Sequence, residues 1–211
     1  MDIDWTAQLQ PLFEQYGNRQ HPLDYKTRYQ LAVMVVLSAQ DSDKHINELA
    51  PLFFEAYPNM KALATAEAED LHKLIGSVRN FGNKAKWLVK MARELGDDEK
   101  IPHTMPELTK LPGLGRKSVN VIIRESGGEA EGVIVDLHVL RVAPRLGIAE
   151  DEVKPKPEKV EKQLMAAIAK EKWNEAGMAL SFLGREICRP TNPKCPLCTM
   201  NMVCLHFNGA R

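Results

Sequence analysis

Leu111-Pro112-Gly113-Leu114-Gly115-Arg116-Lys117, followed by a largely apolar stretch, Gly127-Gly128 and then Val133-Ile134-Val135-Asp136, is the part of the chain that decides its reading. Thr104, with Glu107 three residues on, predicts a capping box at the start of a short helix, and Pro112 stops it. A hairpin must follow. Gly113 and Gly115 permit backbone angles closed to other residues and let peptide N–H groups approach a ligand. A second helix is predicted from about Arg116, so its unbonded N–H groups and positive dipole end lie beside the hairpin and suit an anion such as a phosphodiester. Lys117 falls in that first turn, where the positive end and partial burial favour a neutral, nucleophilic amine. Asp136 can accept its proton or stabilise a cationic transition state. The residues alone equally allow Lys117 to be a phosphate-binding surface lysine and Asp136 a plain N-cap for a helix from Leu137 to Leu146.

Outside this stretch, helical periodicity prevails and strand signals are nearly absent. Trp5, Leu9, Leu12, Phe13 and Tyr16 recur at helical spacing, with Pro11 either kinking that segment or beginning its helix. Leu31 to Ala39 is apolar almost all round and predicts a central buried helix. Further helices are expected over 42–57, 67–75, 84–95, 157–168 and 173–187, whereas Asp97 to Lys100 and Glu150 to Lys159 read as solvated turns. The fold class is all-α.

Composition sets the outer bounds. A chain of 211 residues with 44% hydrophobic content suits one or two small globular domains. No apolar run reaches membrane-spanning length and the N-terminus has no signal-peptide pattern, so no membrane association and a cytoplasmic location are expected. The 28 basic and 28 acidic residues balance. Because phosphate neutralisation drives much of nucleic-acid affinity, a DNA-binding reading requires that charge be segregated on the surface.

Cys188, Cys195, Cys198 and Cys204 form C-x6-C-x2-C-x5-C, with no cysteine elsewhere. A chain this long can bury a core without disulfide staples, so the cluster reads as a metal site. Four thiolates suit zinc or an iron–sulfur cluster, and spacing does not choose between them. Arg185, Arg189 and Lys194 surround this loop, either as phosphate contacts or as solvated charges.

The hairpin string with its trailing aspartate resembles the helix-hairpin-helix motif of the HhH-GPD superfamily of DNA glycosylases, most closely the endonuclease III branch. The resemblance implies that Lys117 is the nucleophile and Asp136 its partner, and that Cys188, Cys195, Cys198 and Cys204 hold a 4Fe-4S cluster. It implies two helical domains, a helix-hairpin-helix domain and an iron–sulfur cluster domain, flanking a DNA-binding groove. Residues 24–133 would form the first, with the motif at about 105–127; residues 1–23 plus 134–211 would form the second, with its cluster loop at 188–204. Leu37-Ser38-Ala39-Gln40 is similar to the motif whose glutamine enters the duplex, although a glutamine at a helix end can also merely bind backbone groups. Gln40, Asn80, Gly113, Gly115 and Arg116 are the expected DNA contacts, and the partner is damaged double-stranded DNA bound by a monomer of bacterial or archaeal type. Related adenine glycosylases generally lack the lysine and usually carry a further C-terminal domain; with Lys117, and ending at Arg211, the chain sides with endonuclease III.

The expected activity is base excision coupled to abasic-site (AP) lyase cleavage, acting on oxidised or ring-saturated pyrimidines. Lys117 attacks C1′ of the extruded nucleotide, and β-elimination through the Schiff base cuts the strand. Three departures bear on the lesion. Asn80 stands where an apolar wedge is usual, Leu137 separates Asp136 from His138, and Asp41 follows Gln40 where a small or neutral residue is usual, placing negative charge close to DNA. A monofunctional glycosylase that activates water through Asp136, and a damage-binding protein without turnover, are the alternatives.

Overall fold

The computed structural model describes residues 3–209, and every regular element among them is an α or 3-10 helix. Two compact units divide the chain: His21–Gly128, and Met1–Gln20 together with Glu129–Arg211. The all-α, two-lobed expectation agrees with this architecture. Among the described residues, no helix is long and apolar enough to cross a membrane.

Within the unit His21–Gly128, the helix Arg28–Ser38 is the centre. Every residue from Leu31 to Leu37 is buried, as an all-round apolar helix requires, and the helix packs against Asp43–Ala56, Phe81–Leu95 and Arg116–Glu125. Thr27 starts it by accepting the N–H of Gln30 at 3.2 Å. The helix Phe81–Leu95 begins a turn earlier than its apolar pattern suggests, because Asn80 takes the left-handed conformation and redirects the chain; Gly96, at φ 68°, ends it in the same way. The expected helix over 67–75 is two pieces, Ala68–Leu71 in 3-10 form with a Glu67–Asp70 capping box, then His72–Ile75. The short helix Met60–Ala64 carries too few residues to show a period. Asn59 caps it, and Asp98 accepts the Met60 N–H at 2.7 Å. The segment read as a solvated turn thus serves as a cap.

The unit containing residues 129–209 is built on the pairing of Leu137–Leu146 with Trp173–Glu186. Small residues make that pairing close. A Cβ on Gly177 would lie 2.6 Å from the Ile134 carbonyl oxygen, and one on Gly184 would lie 2.8 Å from the Cβ of His138. Larger side chains would push the second helix away from the segment bearing Asp136. In the N-terminal part of this unit Trp5–Gln8 gives way to Gln10–Tyr16, with Pro11 in the first turn, so Pro11 begins a helix instead of kinking one.

Candidate nucleic-acid interface and active site

The hairpin joins the helix Met105–Leu108 to Arg116–Glu125. The reciprocal capping box does not form: Thr104 donates its hydroxyl to Oε2 of Glu107 at 2.7 Å and makes no side-chain cap. Gly113 has φ 80°, and a Cβ there would meet Trp87 and Val36 at 3.1 Å each, so both conformation and space require glycine. Gly115 differs from its sequence reading. Its backbone is ordinary extended chain (φ −92°, ψ 170°), and open space lies over its Cα. What it contributes is an unshielded approach to the amides that begin the next helix, where no side chain supplies a cap.

Lys117 stands in the first turn of that helix and is exposed, not partly buried as the sequence suggests. Lys110, Arg116 and Lys117 are all exposed, against the single acid Glu107 in residues 105–117. That is a local excess of positive charge on a neutral chain, the segregation that phosphate contact needs.

Gln40 and Asn80 are exposed and both left-handed, at φ 61° and 59°. Asn80 accepts from Asn83 Nδ2 at 2.8 Å through its own side-chain oxygen. These positions and the hairpin share supports, because Val36 lies in the helix that leads to Gln40, Trp87 in the helix that leaves Asn80, and both pack on Gly113. The sequence reading missed Lys84. It is 2% exposed, and its ammonium donates to the Leu37 and Ala39 carbonyls at 2.7 Å each, closing the helix that precedes Gln40. Burial holds its pKa below the ordinary lysine range. Asp41, expected to bring negative charge toward DNA, instead turns its carboxylate inward, with the side chain 13% exposed.

Asp136 belongs to the other unit. Its Oδ1 accepts from the backbone N–H groups of His138 and Val139 at 2.9 Å each, so it is the N-cap of Leu137–Leu146. It is also more than a cap. Oδ2 accepts the Ser181 hydroxyl at 2.6 Å and lies 3.8 Å from Nη2 of Arg185. Leu137, immediately after it, is 79% exposed. Ser181 gave no sequence signal, because a buried serine in an apolar helix has no local motif.

The cysteine loop corrects the sequence reading. Among the described residues, no group of three or more His, Cys, Asp or Glu side chains is arranged to hold a metal ion. Cys188, Cys195, Cys198 and Cys204 are free thiols lining an apolar pocket with Leu146, Leu183, Pro193 and Phe207. Cys204 donates its S–H to the Arg145 carbonyl at 3.3 Å, and burial pushes the Cys198 and Cys204 thiols up. Among the described residues, then, no coordinating group supports the expected 4Fe-4S cluster or an iron–sulfur subdomain in the second lobe. The loop is held by arginines, with Arg141 donating to the Cys188 carbonyl at 3.0 Å and Arg145 to the carbonyls of Arg189 and Pro190 at 2.8 and 3.2 Å.

A glycine hairpin that opens onto a helix N-terminus, with exposed cations in that helix's first turn, is a helix-hairpin-helix arrangement suited to DNA. Residues 33–170 match the model of the HhH-GPD superfamily base excision DNA repair proteins, and the chain belongs to that superfamily. Its similarity to endonuclease III is 35% identity to the Synechocystis sp. protein, covering 86% of this chain and 83% of the relative. For the Bacillus subtilis endonuclease III it is 32%, covering 93% and 89%. A solved structure of a trapped endonuclease III–DNA covalent intermediate superposes with a TM-score of 0.87 at 30% identity, over all of this chain and 99% of that one.

Proposed function

We propose that Lys117 is the nucleophile and Asp136 the electrostatic partner of a repair reaction on damaged pyrimidines. The activity itself is that of the endonuclease III family: a bifunctional base-excision-repair DNA glycosylase and AP lyase acting on duplex DNA. The observation that carries the residue assignment is the exposed Lys117 amine in the first turn of the helix that follows the hairpin. The hairpin amides at Gly113 and Gly115, with Arg116, hold the phosphate backbone. Gln40 and Asn80 enter the duplex where the damaged nucleotide has left the stack.

The neutral Lys117 amine then adds to C1′ as the N-glycosidic bond breaks, and the base leaves with the bonding electrons and takes up a proton. Opening of the sugar gives a Schiff base. Loss of a C2′ proton expels the 3′ phosphate, and water releases the lysine. Asp136, fixed by Ser181 and by the helix it caps, supplies a carboxylate whose charge favours the cationic stages. Oxidised or ring-saturated pyrimidines are the substrate class, since such bases stack poorly and are cheap to extrude.

Borohydride trapping on a duplex with one ring-saturated pyrimidine tests the assignment. Wild type should form a covalent adduct, while Lys117→Gln should form none and still bind the duplex, because the amides and not the amine grip the phosphate. Undiminished trapping by Lys117→Gln would move the nucleophile elsewhere. Base release without strand scission by the wild type would make the enzyme monofunctional.

A further inference from the structure

Asp41 stands beside Gln40, yet its carboxylate reaches the other loop. Oδ1 accepts from the Ser42 N–H and from Nδ1 of His45, each at 2.8 Å, and Oδ2 accepts from the Arg79 N–H at 3.0 Å. On its far side, Nε2 of His45 lies 2.9 Å from the Ser77 hydroxyl. Two links therefore join residues 41–45 to residues 77–79, on either side of Val78, which is buried.

This network is not needed to start the helix Asp43–Ala56, because Ser42 caps it by accepting the His45 N–H at 3.2 Å. Its hydrogen-bond pattern can form with either charge on His45. A carboxylate only accepts, so Nδ1 must carry a proton; Nε2 then accepts from Ser77 when the ring is neutral and donates to it when the ring is cationic. What the network does hold is the pair of left-handed residues at its ends. Non-glycine residues persist in that region only where their surroundings over-determine them. Gln40 is fixed by Lys84 on the preceding carbonyls and by Asp41 on the following side, and Asn80 by the bonded Arg79 amide.

We propose that Asp41 is a positioning residue that locks the Gln40 and Asn80 loops to each other, so that the two side chains enter the duplex as one element of fixed spacing. This rests on the reading of Gln40 and Asn80 as duplex-entering residues.

The test is a double-mutant cycle of Gln40→Ala and Asn80→Ala on the full chain, in the wild-type, Asp41→Ala and Ser77→Ala backgrounds. The first readout is fluorescence of 2-aminopurine opposite a non-cleavable abasic analogue, which reports duplex distortion without any chemistry. The second is single-turnover base release. Residues that act as a unit are non-additive, so in the wild-type background each single change should lower both signals by about tenfold and the double change by little more. In the Asp41→Ala and Ser77→Ala backgrounds the two effects should multiply. Ser77 is exposed, so its variant breaks one link without disturbing the core. Multiplicative effects in the wild-type background, or equal coupling in all three, would overturn the linkage. No effect of either single change on the fluorescence would remove both loops from the duplex and the linkage with them. Loss of base release with normal fluorescence coupling in the wild type would instead count against the catalytic reading alone.

Discussion

Ser181 donates its hydroxyl to Oδ2 of Asp136 at 2.6 Å, while the amides of His138 and Val139 occupy Oδ1. The two oxygens have separate duties. One begins a helix, and the other is held by a residue forty-five positions along the chain, on a helix that Gly177 and Gly184 allow to approach at backbone distance. On the proposed reading of Asp136, capping and catalysis are not rival descriptions, because the cap that occupies Oδ1 leaves Oδ2 to be held by Ser181.

Asp136→Asn should separate the two duties. Asparagine caps helices about as well as aspartate, so the thermal midpoint should fall by only a few degrees, while base release should drop by at least about a hundredfold as the transition-state charge loses its partner. Ser181→Ala leaves the cap and removes one hydrogen bond to a charged group, a loss of about 1.5–3 kcal/mol. Its base release should fall by about tenfold, since it only disorders the carboxylate. Single-turnover rates set beside thermal melts check both. Wild-type rates in Asp136→Asn would leave the residue a cap and nothing more.

The two hairpin glycines should fail in different ways. Gly113→Ala places a Cβ at positive φ, costing about 1–2 kcal/mol, and crowds Trp87 and Val36 at 3.1 Å. A midpoint lowered by several degrees is expected. Gly115→Ala meets nothing within 4 Å and needs no unusual angle, so stability should hold while affinity for abasic duplex falls, because the new methyl covers the approach to the helix amides. Melting curves and a binding titration separate the two. Equal loss of stability in both would show that Gly115 is held by contacts other than those described.

What could be read from the sequence was what local physics decides. The helix Leu137–Leu146 was legible to the residue, because Asp136 begins it and Gly147 ends it at φ 99°; the buried Arg28–Ser38 helix was legible from apolar density alone. Residues that act across the chain were not. Ser181, His45 and Lys84 have no motif, and each matters through a partner 32 to 47 positions away. Asp41 was misread for the same reason, since its sequence neighbour is Gln40 but its structural neighbours are His45 and Arg79. The cysteine spacing brought four thiols to one pocket without a coordinating arrangement. Proximity in sequence sets which side chains share a loop, and the path of this loop is held by Arg141 and Arg145 on its carbonyls.

Acid should loosen the Asp41 linkage. Burial by itself would raise this carboxyl, but the His45 ring N–H and the amides of Arg79 and Ser42 outweigh it and hold its pKa below the usual aspartate value. The charged or titratable groups around it are His45, Arg79 and Lys84. With the folded-state value below the unfolded one, near 3.9, the stabilisation is present above that pH and is lost as pH falls through the folded value. Asp41→Asn keeps the shape and one acceptor oxygen but has no charge to lose. At pH 7 it should melt a few degrees below wild type, as expected for about 1 kcal/mol in a chain of this size. As the pH falls below about 4 the gap should narrow, and it should close once the pH has passed the lowered folded-state value, where the wild-type carboxyl is protonated too. Melting both proteins across that range is the measurement. A gap that does not narrow at all as the pH falls below about 4 would mean that the shape of the Asp41 side chain, and not its charge, ties the Gln40 loop to Arg79.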